Sequence, residues 1–281
     1  MFMKKNLKVF LLITLFCILP SLLIAENNLT STDLDAIKKL MNYRPEFTAK
    51  NPEEALIAIQ EYENKFFTEN DKKNFSEQGN LILESIFVSE KFNYLYEMDE
   101  NHPEREPLII PHNTKLETWI KSHKEEEISS WLYFMAGDLL SCSMGLYSIP
   151  KAMEIGLVIK DYYEIALKKN PNMPYINLNL AQWYFHAPAI GGGSKKKANE
   201  LFQVALKNAT EKGEKFYVNL IYSQFMYDQK DKKAATEYLN KAYALQPDSQ
   251  KIAFLKLLNE NDFTLFYYTL NRAKVEKKLG L

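Results

Sequence analysis

Small and apolar residues recur at positions i, i+4 and i+7 in three stretches of the chain: Ile159, Tyr163 and Ala166; Ala198, Phe202 and Ala205; Ala235, Leu239 and Ala242. That spacing puts each trio on one face of an α-helix, and the alanines let a second helix approach closely. Pro171 and Pro247 follow the last alanine of the first and third stripes by the same interval, which stops the helix there. A second pattern alternates with the stripes. The run from Tyr175 through Asn177, Leu178, Ala181 and Gln182 to Phe185 matches the run from Tyr217 through Asn219, Leu220, Ser223 and Gln224 to Tyr227. The two runs lie five residues further apart than the stripes that follow them, and the surplus is an insertion holding His186 to Ser194. Each unit therefore reads as two antiparallel helices with small residues at their contact.

This pattern resembles the tetratricopeptide repeat superfamily, whose unit is a 34-residue helix-turn-helix with an aromatic residue and Leu in the first helix, Ala…Phe…Ala in the second and a closing Pro. The resemblance covers about Ser130 to Ser249 and fits best from Phe216 to Asp248. The middle unit departs by its insertion and by Thr210 where Pro is usual. The earliest unit has Ile159 for the first Ala and roughly eleven extra residues around Ser143 to Gly156.

The resemblance implies an all-α, right-handed solenoid of antiparallel helix pairs whose first helices line a concave surface. Carried over position by position, that surface holds Tyr175, Leu178, Gln182 and Phe185 in one unit and Tyr217, Leu220, Gln224 and Tyr227 in the next. In the earliest unit Ser130, Tyr133, Gly137 and Leu140 take these places. It further implies a non-enzymatic protein that binds a protein or peptide partner, such as an envelope or transporter component, through the concave face. A second version is similar to the tetratricopeptide subunit that accompanies tripartite periplasmic solute transporters, where stacked helices enclose a small-molecule pocket. An enzyme is the third reading.

The flanks continue the helical pattern. Pro52-Glu53-Glu54 opens a helix expected to run through Phe67, with Ala55, Ile59, Tyr62 and Phe66 on one side, and Asn80 to Tyr96 is a second apolar-striped segment. The prolines between His102 and Asn113 mark the strongest break, so the chain divides into an N-terminal helical region, 26–107, and the repeats with C-terminal helices, 108–281. After Pro247 two further helices are expected, split near Asn261 and Asp262.

Residues 1–25 stand apart. Lys4, Lys5 and Lys8 precede an apolar run, Val9 to Ala25, that contains Pro20. This is the pattern of a secretory signal peptide, which places the protein in the periplasm or outside the cell. An uncleaved anchor and a lipid-modified Cys17 are the alternatives, and they are the routes to a membrane that this segment offers. Cleavage removes three lysines and leaves 32 basic against 36 acidic residues, a formal charge of −4. Nucleic-acid binding calls for a basic excess, so no nucleic-acid partner is expected. Only Cys142 survives cleavage, which rules out an internal disulfide; in its apolar setting it reads as a small buried hydrophobe. Nine glycines in 281 residues are too few for the turns of a β-sandwich or a doubly wound sheet.

Chemistry-bearing motifs are sparse. Four histidines show no metal-binding spacing, no cysteine pair is available for zinc, and no cofactor motif occurs. Gly191-Gly192-Gly193-Ser194-Lys195 lacks phosphate-loop spacing. It reads as a flexible turn with Ser194 capping the next helix, or as an anion site built from Ser194, Lys195 and free backbone N–H groups.

Overall fold

The computed structural model describes residues 28–281; the segment expected to be a signal peptide, 1–25, lies outside them. The described residues form thirteen helices and no strand. They are α1 (Ser31–Phe47), α2 (Pro52–Glu69), α3 (Glu77–Met98), α4 (Arg105–Ser122), α5 (Ser130–Ser143), α6 (Ile149–Lys169), α7 (Pro174–His186), α8 (Lys195–Asn208), α9 (Lys212–Asp228), α10 (Lys232–Leu245), α11 (Gln250–Glu260), α12 (Leu265–Leu270) and α13 (Arg272–Leu279). None is long and apolar enough to cross a membrane.

Local chemistry sets the boundaries. Side chains of Asn51, Ser76, Ser129, Ser194, Asp231 and Ser249 each accept a hydrogen bond from a first-turn backbone N–H of α2, α3, α5, α8, α10 and α11, satisfying donors that the helix itself leaves free. The break expected around the 102–113 prolines is shorter than the sequence suggests. Pro107 falls in the first turn of α4, where a missing N–H costs nothing, and Pro111 is absorbed inside the same helix. The boundary drawn after residue 107 thus falls within α4. At the other end, the last predicted helix divides at Asn271 into α12 and α13.

Neighbouring helices pack in pairs, α5 with α6, α7 with α8 and α9 with α10, and the three stripes form their contacts. Tyr163, Phe202 and Leu239 are buried with their flanking alanines. Gly137 of α5 lies against the Tyr163 ring, and a Cβ there would sit 2.6 Å from a ring carbon. The core does not stop at the repeats. One apolar cluster runs from Leu29 to Phe225, and a second joins α9 and α10 to α11 and α13 through Phe216, Leu239, Leu255 and Val275.

The element with the longest reach is α1, which packs on both α3 and α9. At its start Asp33 accepts hydrogen bonds from Ser76 N (3.0 Å) and Ser76 Oγ (2.8 Å) while completing a capping box with Thr30. Midway, Asn42 Oδ1 accepts from Gly213 N at 2.9 Å. Gly213 is required by this approach, since a Cβ would lie 2.3 Å from Met41 O. Beyond its end, Gln250 N donates to Thr48 O at 2.7 Å. Residues from both ends of the sequence are thereby closed against each other.

Candidate functional site

Helices α1, α3, α5, α7 and α9 converge on a polar interior. Arg44 enters from α1: its Nε donates to Glu90 Oε1 of α3 at 2.5 Å and its guanidinium lies 4.7 Å from the Tyr217 ring of α9. Burial opposes this charge, and Glu90, together with Tyr217, Tyr175 and Asp138, more than offsets the cost, raising the pKa. Beside it, Asp138 of α5 accepts from Ser89 Oγ and from Asn179 Nδ2, both at 2.9 Å. Desolvation lifts the Asp138 carboxyl above its ordinary range, and Arg44 and the two donors limit the rise. Asn179 Oδ1 in turn accepts from Gln182 Nε2 at 3.3 Å. A chain of hydrogen bonds thus runs from Ser89 through Asp138 and Asn179 to Gln182, near the end of α7.

There lies a cavity of about 180 Å³ between α7, α9 and α12. Gln182, Phe185 and His186 of α7 line it, with Gln224, Phe225 and Asp228 of α9 and Phe266 of α12. The rings are ordered against one another. Phe185 meets Phe225 edge-on at 4.9 Å, and His186 stacks on Phe266 at 4.4 Å, geometries that aromatic pairs favour. Desolvation lowers the His186 pKa, although the residue as a whole is exposed. It raises that of Asp228, an effect limited by Thr264 and Lys195.

Gln224 is the most informative residue of the cavity. Its side chain is only 5% exposed, and Oε1 has no hydrogen-bond partner. The orientation of the amide follows from its neighbour. Ser223 Oγ gives its single proton to Leu220 O at 2.6 Å and therefore accepts from Gln224 Nε2 at 3.1 Å. The acceptor oxygen is left closed from solvent and without a donor, and a buried acceptor in that state costs roughly 1–3 kcal/mol.

No family model matches the chain, and no curated protein matches its sequence.

The residues carried over from the repeat resemblance separate into three groups. Gln182, Phe185 and Gln224 meet in the cavity. Tyr175 and Tyr217 face α1 instead: Tyr217 stacks on Arg44, and the Tyr175 hydroxyl lies beside the Gly213–Met41 contact. Leu178, Leu220, Tyr133 and Tyr227 are buried, with Tyr133 against Tyr162 and the Tyr227 hydroxyl donating to Asn259 O at 2.6 Å. Ser194 caps α8 by accepting from Lys197 N, and Lys195 lies over the Phe185 ring. The glycine turn before them spends its donors internally. Gly191 and Gly193 N–H donate to Pro188 O, Gly192 N–H to Ala189 O and Ser194 N–H to Tyr184 O.

Arg44, Glu90, Asp138, Asp228 and Phe266 were not singled out from the sequence. Glu90 and Asp138 did carry a signal, since each is an acidic residue inside an otherwise apolar helical stripe and such a residue needs a buried partner. Burial pushes the nearby Cys142 thiol upward, so it stays protonated at neutral pH and is a poor nucleophile.

Proposed function

We propose that this protein is a non-enzymatic, exported helical-repeat protein of tetratricopeptide type that binds a small molecule in the cavity between α7, α9 and α12. The observation that carries the reading is the unpartnered Oε1 of Gln224, a residue that lines an aromatic cavity. Such a site takes a flat ligand between rings and anchors it with a hydrogen-bond donor. The volume equals about six water molecules, which limits the ligand to a small ring or a short planar chain with an N–H or O–H group. Asp228 and Gln182 favour a neutral or cationic molecule over an anion.

This reading is closer to the solute-binding subunit of a tripartite transporter than to a receptor for a protein or peptide. The inner face offers a peptide little free length, because α1 already bridges α3 and α9 and stacks Arg44 on Tyr217. No reaction is assigned to the site: the Cys142 thiol is held protonated by burial, and His186 is paired with rings rather than with a nucleophile.

A thermal-shift screen of small planar metabolites, run on the wild type and on Gln224→Ala, tests the proposal. The expected result is a ligand that raises the Tm of the wild type and leaves the variant unmoved. Stabilisation of both proteins by the same compounds, or capture of an envelope peptide by both with no small ligand found, would overturn it.

A further inference from the structure

The two insertions that distinguish this chain from a regular repeat meet on one surface. The first lengthens α6 at its start, so that its first turns overhang the shorter α7; the second is the loop 187–194 that follows α7. Trp183 ties them together, its Nε1 donating to Gly156 O of α6 at 2.8 Å while its ring lies 3.9 Å from a Cβ built on Gly192. Both carry apolar side chains into solvent. Ile149, Met153 and Leu157, spaced i, i+4, i+8 on α6, are 79%, 65% and 55% exposed, and Ile190 in the loop is 98% exposed. With side chains of roughly 200 Å² each, these exposures amount to about 600 Å², the upper end of what a soluble monomer displays.

The surroundings of the patch are basic. Lys195, Lys196 and Lys197 open α8 directly after the loop, and none of them forms an ion pair among the described residues. Lys151 and Lys160 on α6 are already neutralised by Glu154 and Glu164 at 3.0 Å. Glu164 of α6 tempers Lys197, and Asp228 of α9 tempers Lys195, from beyond ion-pair distance. An apolar ridge bordered by lysines outside ion pairs is the arrangement that seats a protein at the surface of an anionic bilayer, with apolar side chains among the acyl chains and ammonium groups at the headgroups.

We infer that this face, α6 residues 149–157 with the 187–194 loop and Lys195–Lys197, docks on an anionic lipid surface. A second copy of the chain fits less well, because a two-fold contact here would carry both lysine triplets into one interface. The start of the described chain lies elsewhere. Asn28 bonds Glu126 O, next to Glu125, whose carbonyl accepts from Lys169 at the opposite end of α6. That end is about 30 Å from Ile149 along the helix, so the proposed contact is separate from any anchoring by residues 1–25.

The test uses the chain from Glu26, the form that the proposed export would leave after removal of residues 1–25. It is sedimented with vesicles of phosphatidylglycerol and phosphatidylethanolamine, and with pure phosphatidylcholine. The account predicts partitioning onto the anionic vesicles that falls at least about tenfold in Met153→Glu/Ile190→Glu and falls likewise in about 0.5 M salt. Both proteins should keep the same helical circular dichroism and Tm. Wild type remaining in the supernatant with both vesicle types would overturn the inference. So would binding that the double substitution leaves unchanged, or a dimer in solution that Met153→Glu dissolves in the absence of any vesicle binding.

Discussion

The inner helices are treated differently in two places. Along α3 and at the start of α9, α1 seals them: Asp33 is bonded to Ser76, Asn42 to Gly213 and Arg44 to Glu90. Where α7 and α9 end, the cover is α12, a six-residue helix with no buried residue, and a cavity with an unpartnered amide oxygen remains. Each end leaves a buried polar atom without a partner, the Tyr175 hydroxyl beside α1 and Gln224 Oε1 at the cavity, but the open end also exposes apolar side chains, and features that a stable fold would eliminate are the ones to examine for function.

The contrast is broken most severely at Arg44. Arg44→Met leaves the Glu90 carboxylate buried without its partner and is expected to cost about 3 kcal/mol, read as a lowered urea midpoint. Adding Glu90→Gln should recover most of the loss; a single variant as stable as wild type would mean that α1 is a loosely held appendage.

A second, smaller effect comes from His112 of α4, whose ring nitrogen lies 2.9 Å from Ser85 Oγ of α3. Burial lowers its pKa from 6.5 to about 4. The unfolded chain therefore binds a proton between those values that the folded chain refuses. Stability from this group is almost fully present at pH 7 and is lost as pH falls through 6.5 towards 4, about 1.8 kcal/mol of it between pH 7 and pH 5. Unfolding curves at the two pH values should differ by less in His112→Gln than in the wild type, and equal differences would contradict the assignment.

The smallest effect is expected at the open end. Ile190→Ser and Met153→Ser remove side chains that touch mainly solvent, so each should shift stability by less than about 0.5 kcal/mol. A larger loss in calorimetry would show that the overhang of α6 supports the fold.

The helix pairs were legible because their contact residues repeat: Ala198, Phe202 and Ala205 announce a packed face by period alone, and the glycine count excludes most alternatives. The seal was not legible. Arg44 lies outside the repeats and meets Glu90 across 46 residues of sequence, a pairing that no local pattern encodes. Tyr175 and Tyr217 illustrate the same limit from the other side, since an aromatic residue at helical spacing looks alike whether it faces a ligand or the chain's own arginine. Of the residues carried over, Gln182 and Gln224 reach the cavity because a glutamine amid apolar neighbours has to find a polar partner or await one. Its third wall, Phe266, belongs to a short helix after the last repeat, beyond the range of the alignment between units.

Hydrogen exchange resolved along the chain tests the division between the two ends most directly. The account predicts that amides of α1 exchange only with global unfolding, as slowly as those of α3 and α9, while α12 exchanges by local opening and becomes protected when a small ligand fills the cavity. Fast exchange across α1, ahead of α7 and α9, would contradict it and return the inner face to a peptide partner.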